Sequence, residues 1–184
     1  MYNEVSDEFI INTLKYFSAR SSQIAKEQFD IYEESAGLNE SVIREPIYPD
    51  LDNDKIRDNV FNVRDLSDLY NQYLAMTEQR LLDLKMISIN LTEEQESMNR
   101  IMTIFLILPA DEKEILNYLY MQQPDKKISI ATNELAEKTF TSPRTIMRKR
   151  KKAVSYIKDI YKSDLTQAEI FKMTLPQNKN KVYR

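Results

Sequence analysis

The chain has 184 residues, of which 42% are hydrophobic, and this is enough for the core of one domain or of two small ones. It contains one Gly, no Cys and no His, which argues against an all-β fold and excludes Gly-rich phosphate loops, zinc fingers, disulfide frameworks and Ser-His-Asp triads. Charge is unevenly divided, because residues 126–184 carry 15 Lys+Arg against 5 Asp+Glu whereas residues 1–125 carry 11 against 24, and an acidic body with a basic end favours a polyanion as the partner of that end.

The first half of the chain predicts two long helices. Ser6 can cap the first, whose apolar residues recur at helical spacing, and we expect this helix to run to about Glu34 and stop near Gly37. Residues 38–54 contain two prolines and several Asp and Asn, so they predict an irregular connector. A second helix follows over about 55–89, and its apolar spacing is close to a heptad over part of this length. Such a stripe fits packing within the chain or the seam of a dimer.

Two further helices are predicted before the basic region. The segment Thr92-Glu93-Glu94-Gln95 has the pattern of a capping box, so we expect a third helix to begin there. Pro109 interrupts that helix, and a fourth begins at Ala110 and is stopped by Pro124.

The segment from Ile128 to Tyr161, ISIATNELAEKTFTSPRTIMRKRKKAVSYIKDIY, predicts a short helix, a turn and a longer basic helix. Ser129 or Thr132 can cap the short helix. Ser142 is a strong N-cap for the second helix, where Pro143 suits the first helical position. A buried stripe is expected from Ile146, Ala153, Val154, Ile157 and Ile160.

The other side of this second helix has the chemistry of a recognition helix. Such a helix places its N-terminal half in the major groove with hydrogen-bond donors projecting. Arg can bind guanine bidentately, while Lys and hydroxyl groups hold phosphates. The residues predicted near the bases and at the helix N-terminus are Ser142, Arg144, Thr145, Met147 and Arg148, and those predicted at the DNA backbone are Lys149, Arg150, Lys151 and Lys152.

The sequence therefore predicts an all-α fold in which long N-terminal helices, joined by an irregular loop, precede a compact C-terminal helix-turn-helix domain. The expected regions are 1–91 for self-association or partner binding, 92–175 for DNA binding, and a flexible tail at 176–184. We expect no enzyme, because no constellation supplies a nucleophile with its base, and no cofactor or metal site. The acidic, polar N-terminus and the lack of a long apolar run predict a cytoplasmic protein with no membrane partner.

Other interpretations of the basic run stay open. It is also compatible with a solvated helix face or an unspecific anion patch. A small terminase subunit, which joins a helical oligomer to a helix-turn-helix, is one alternative function. A protein-interaction module without a DNA role, such as an anti-repressor or an RNA polymerase adaptor, is another.

The segments LPADEKEILNYLYM and ISIATNELAEKTFTSPRTIMRKRKKAVSYI resemble the DNA-binding C-terminal domain, region 4, of sigma-70-type factors. They more closely resemble the ArpU-type phage late transcriptional regulators of Gram-positive bacteria. This resemblance implies sequence-specific binding upstream of a late operon in the bacterial host cell and activation of its packaging, structural or lysis genes. The acidic N-terminal helices are then expected to mediate self-association or to contact RNA polymerase. It also implies that Ser142, Arg144, Thr145 and Arg148 occupy recognition-helix positions.

The chain departs from that pattern at Phe140, where the tight turn usually carries Gly. A bulky residue at positive φ is costly. We therefore expect either a different turn geometry or a Phe140 ring that the core holds in place.

Overall fold

The computed structural model describes residues 5–44 and 63–173, with side chains for 5–38 and 70–173. These residues form helices and no strand, which confirms the all-α class. The helices are α1 (Asp7–Arg44), α2 (Val63–Ile107), α3 (Ala110–Leu116), α4 (Ile128–Thr139), α5 (Pro143–Lys162) and α6 (Gln167–Lys172), and a π-helical stretch at Asn117–Gln122 continues α3. Within the described ranges, no helix combines the length and the apolar character that crossing a membrane requires.

The first helix is longer than predicted. α1 passes through Gly37 and ends at Arg44, so the expected stop near Gly37 is wrong. Gly37 does not adopt a positive φ. A glycine inside a helix lowers the stability of that helix by about 1 kcal/mol relative to alanine. The helical turns on either side of Gly37 can outweigh this cost. The predicted irregular connector is therefore helical over 38–44, and its remainder at 45–54 lies outside the described residues.

The predicted second and third helices are one continuous helix, α2, and the predicted capping box at 92–95 is wrong. The Thr92 hydroxyl donates to the carbonyl of Ser88 at 2.8 Å, as Thr does inside a helix. Leu84, Leu91 and Met98 are buried at intervals of seven residues. Because this apolar stripe continues through the segment, its burial outweighs the local preference for a new helix start. The predicted start of the second helix near residue 55 lies outside the described residues.

Packing divides the chain into two compact units. Unit 1 comprises residues 1–21 and 94–184, and unit 2 comprises residues 22–93. The functional roles predicted for residues 1–91 and 92–175 stay predictions.

Unit 1 contains a single apolar core to which all six helices contribute. Small side chains lie where α4 packs on α5, since Ala131 and Ala153 are fully buried and Ala136 is 7% exposed. The largest apolar contributions come from residues that the core excludes almost completely from solvent: Ile10, Leu14, Ile101, Ile104, Leu116, Leu119, Tyr120, Ile146, Ile157 and Ile170. The core therefore holds α5 in place along the side of this helix that faces inward.

A buried arginine ties α2 to the end of α5. Arg100 is 1% exposed, and its Nε donates to the carbonyl of Tyr161 at 3.2 Å. Its Nη1 donates to Leu165 at 2.8 Å, and its Nη2 donates to Ser163 at 2.9 Å and to Ile160 at 3.4 Å. Carbonyls at a helix C-terminus lack intrahelical donors and attract cations. Arg100 therefore caps α5 from a neighbouring helix.

Candidate nucleic-acid interface

The candidate interface is built on α4, a three-residue connection and α5. α4 begins after Lys127 without a side-chain cap, so the predicted caps at Ser129 and Thr132 are wrong. Thr132 is buried inside α4, and its hydroxyl lies 3.7 Å from the sulfur of Met147 on α5. Ile128 packs against the core of unit 1. α4 therefore begins with a partly buried Ile128 and without a capping hydroxyl.

The connection keeps the geometry that normally takes glycine. Phe140 has φ 51° and ψ 33°, the left-handed conformation, and its side chain is 97% exposed. Both alternatives expected for this turn are therefore wrong, because neither another geometry nor the core accommodates the ring. The backbone N–H groups of Phe140 and Thr141 both donate to the carbonyl of Ala136 and close the turn. Left-handed backbone costs roughly 1–2 kcal/mol for a residue with a Cβ, so the turn is held against this strain.

α5 begins as predicted. Ser142 has extended backbone, and its hydroxyl accepts a hydrogen bond from the N–H of Thr145 at 3.2 Å. Pro143 occupies the first turn of α5. The hydroxyls of Ser142 and Thr145 also lie 2.9 Å apart. Two hydroxyl groups are thereby fixed beside the N-terminus of the basic helix.

The buried side of α5 also agrees with the prediction for Ile146, Ala153, Val154 and Ile157, which are all buried. Ile160 is only partly buried, whereas Tyr161 is 5% exposed and occupies the end of the stripe. The Arg100 guanidinium lies 5.6 Å from the centroid of the Tyr161 ring, within the range of a cation–π interaction.

The structure divides the nine predicted DNA-contact residues into two sets. The first set lines one open groove on α5 and consists of Ser142, Arg144, Thr145, Met147, Arg148 and Lys151. Arg144, Arg148 and Lys151 are exposed, and none of the three forms an ion pair with a described residue. We call this set the α5 groove.

The second set contacts α3 and its π-helical continuation. Lys149 Nζ lies 2.9 Å from Asp111 Oδ2, and Lys152 Nζ lies 3.0 Å from Glu112 Oε1. These interactions direct two lysines of α5 toward carboxylates in the first turn of α3, where the helix dipole favours acidic residues. The hydrogen bond from Lys149 lowers the pKa of Asp111.

Arg150, the third member of this set, contacts an aromatic residue. Its Nε donates to the hydroxyl of Tyr120, and the guanidinium lies 5.5 Å from the centroid of the Tyr120 ring. Burial raises the pKa of the Tyr120 hydroxyl despite the opposing effect of Arg150. Arg150 thus joins α5 to the π-helical stretch.

The sequence predicts the nine candidate DNA-contact residues but not the partners that Lys149, Arg150 and Lys152 find on α3 and its π-helical continuation. Those partners, Asp111, Glu112 and Tyr120, lie in the helix predicted between Ala110 and Pro124. Their register against α5 depends on how α3 packs, and spacing along the chain does not encode it. Within the described ranges, no cluster of three or more His, Cys, Asp or Glu could hold a metal ion.

The α5 groove therefore presents two guanidinium groups, one ammonium group and two hydroxyls, with a thioether between them. This donor-rich surface can bind an anion such as a phosphate, or the acceptor atoms of a guanine edge.

Comparisons of the chain with protein-family models, with curated proteins and with solved structures find no match.

Proposed function

We propose that the chain is a sequence-specific, double-stranded-DNA-binding transcriptional regulator in which α5 enters the major groove. One observation carries this proposal: the α5 groove gathers cations and hydroxyls on the helix face opposite the core, and its three cations form no ion pair with a described residue. Cations that a fold leaves without carboxylate partners are suited to phosphate or base acceptors.

Roles within the α5 groove follow from side-chain chemistry. Arg144 and Arg148 are one helical turn apart, and each can donate to guanine O6 and N7. Ser142 and Thr145 lie at the helix N-terminus, where hydroxyls and backbone N–H groups hold a phosphate. Lys151 lies further along α5 and suits the DNA backbone.

The resemblance to ArpU-type regulators supports a more specific proposal, namely activation of phage late genes. Under this proposal, DNA binding by α5 places the protein upstream of the operon, and a second surface contacts RNA polymerase. The acidic first part of the chain is available for that contact, since residues 1–125 carry 24 Asp+Glu against 11 Lys+Arg.

A second copy of the chain is the partner that we propose for unit 2. α1 carries a stripe of exposed, uncharged residues whose spacing alternates between three and four positions, as in a helix–helix seam. These residues are Ser22, Ala25, Phe29, Tyr32 and Ala36. Phe29 is 58% exposed and Tyr32 is 69% exposed. One recognition helix contacts only a few base pairs, so a dimer would supply the second half-site contact that specific binding needs.

The experiment begins with selection of bound sequences from a randomised duplex library, followed by fluorescence anisotropy on a selected duplex and on a mixed-sequence duplex. Arg148→Ala should weaken binding to the selected duplex by about 1–3 kcal/mol and lower the ratio of specific to unspecific affinity. Arg80→Ala is the matched control, because Arg80 is also an exposed arginine but pairs with Glu34 in unit 2. It should leave that ratio unchanged.

Two results would contradict the proposal. Absence of wild-type binding to any duplex at low salt would favour a protein-interaction module instead. Equal specificity ratios for Arg148→Ala and wild type would remove Arg148 from base recognition.

A further inference from the structure

Phe140 combines a strained backbone, held by the hydrogen bonds of the turn, with an exposed ring. Its backbone is left-handed, and it is the one non-glycine residue with positive φ among the described residues. Its ring is 97% exposed, more than any other large hydrophobic side chain that the structure describes. Glycine would adopt this conformation without strain and without exposing an aromatic ring to water. Strained positions of this kind occur at binding sites, where the strain accompanies a function.

The turn fixes the backbone from which the Phe140 ring extends. Two backbone N–H groups, those of Phe140 and Thr141, converge on the carbonyl of Ala136. Ser142, two residues after Phe140, caps α5 and lines the α5 groove. The ring therefore projects from a rigid turn directly before the surface that carries the candidate DNA contacts.

The chain around Phe140 distinguishes between two kinds of partner. Its neighbours Thr139, Thr141 and Ser142 are exposed hydroxyl residues, and the Thr139 and Thr141 hydroxyls lie 2.7 Å apart. An apolar anchor at a protein interface normally lies within a desolvated apolar cluster. On α4, which ends one residue before Phe140, the exposed large apolar residue is Ile130, ten positions earlier. Hydroxyls beside a single ring match a nucleic-acid surface instead, where hydroxyls bind phosphates and an apolar group packs on sugar or base.

We propose that Phe140 is a DNA-binding residue whose ring packs on the duplex beside the α5 groove, against a deoxyribose or a thymine methyl group. This inference rests on the proposed function, and it adds an apolar contact to the polar and cationic ones. The strained turn is retained because it presents the ring to the duplex.

Three variants test this proposal on the full chain, with a duplex selected by the wild-type protein. Phe140→Gly should raise the melting temperature by about 2–4 °C, because it removes backbone strain. The same variant should bind the duplex about tenfold more weakly, a loss in the range that one apolar or stacking contact supplies. Phe140→Asn also tolerates left-handed backbone and should show the same loss of affinity. Phe140→Leu keeps an apolar side chain and should lose less.

The salt dependence of binding separates this contact from the cationic ones. The slope of log affinity against log salt concentration counts released counterions, and Phe140 carries no charge. Phe140→Gly should therefore lower the affinity equally at all salt concentrations, while Arg148→Ala should change the slope if Arg148 also neutralises a phosphate.

Each other outcome counts against the proposal. Wild-type affinity in Phe140→Gly and Phe140→Asn would overturn it and leave the proposed function intact. If these variants bind DNA normally but lose binding to purified bacterial RNA polymerase, the ring belongs to a protein surface, and the proposal is overturned. Absence of DNA binding by the wild-type protein would overturn both this proposal and the proposed function.

Discussion

Arg100 offers a quantitative test of how α5 is held in unit 1. Replacing it by methionine keeps much of the side-chain volume and removes the guanidinium. The buried carbonyl of Tyr161 and the partly buried carbonyls of Ser163 and Leu165 then lose the donor that Arg100 supplies. The carbonyl of Ile160 keeps the N–H and hydroxyl of Ser163 as donors, at 3.1 Å and 2.6 Å.

The expected loss can be worked from these contacts. A buried acceptor that loses its partner costs about 1–3 kcal/mol, and hydrogen bonds to a charged donor lie at the upper part of that range. Added together, three such losses would exceed the cost that is measured when one side of a buried charged interaction is removed, which is about 3–5 kcal/mol. The measured cost is smaller than the sum because the structure relaxes and water enters. We therefore expect Arg100→Met to lower the free energy of unfolding by about 3–5 kcal/mol, which corresponds to a fall in melting temperature of about 6–20 °C.

Urea denaturation followed by circular dichroism at 222 nm measures this loss. Arg100→Lys retains a cation but not the forked geometry, so it should fall between Arg100→Met and the wild type. Arg80→Met is the matched control, because Arg80 is 49% exposed and its pairing with Glu34 contributes far less. A loss below about 1 kcal/mol for Arg100→Met, within the range of surface substitutions, would refute the assignment of Arg100 as the cap of α5.

Three further predictions concern pH, charge and assembly. The bidentate hydrogen bonds from Arg20 lower the pKa of Glu94, so the stabilisation from this pair is present above the ordinary carboxyl pKa of 4.5 and is lost as pH falls through the lower pKa of the folded state. Glu94→Gln should therefore flatten the decline of melting temperature below about pH 5. A decline equal to that of the wild type would contradict this. Asp111→Asn releases Lys149 and should steepen the salt dependence of DNA affinity by up to about one counterion, and a slope equal to the wild type would show that Lys149 does not reach phosphate. Phe29→Lys should convert dimers to monomers in sedimentation equilibrium, and a wild-type protein that is monomeric at micromolar concentration would exclude the seam on α1.

The sequence predicted local features where one short-range signal dominates. Ser142 and Pro143 specify the start of α5, and the structure contains that start because the cap satisfies a backbone N–H group regardless of tertiary packing. The interruption at Pro109 follows from the same kind of local constraint. The inward side of α5 was also predictable, since its apolar residues repeat at helical spacing.

Predictions failed where packing over many turns outweighs a local preference. Gly37 and Thr92 lie inside long helices, although each carries a signal for a helix terminus. Phe140 adopts the conformation that its side chain disfavours, because the backbone hydrogen bonds of the turn select it. The partners of Lys149 and Arg150 depend on tertiary register, which sequence spacing alone did not contain.

Methylation protection of guanine N7 tests the central claim most directly, because N7 lies in the major groove. On a duplex selected by the wild-type protein, the account predicts protection of specific guanines and loss of protection at one of them in Arg148→Ala. Binding that leaves every guanine N7 reactive would contradict insertion of α5 into the major groove.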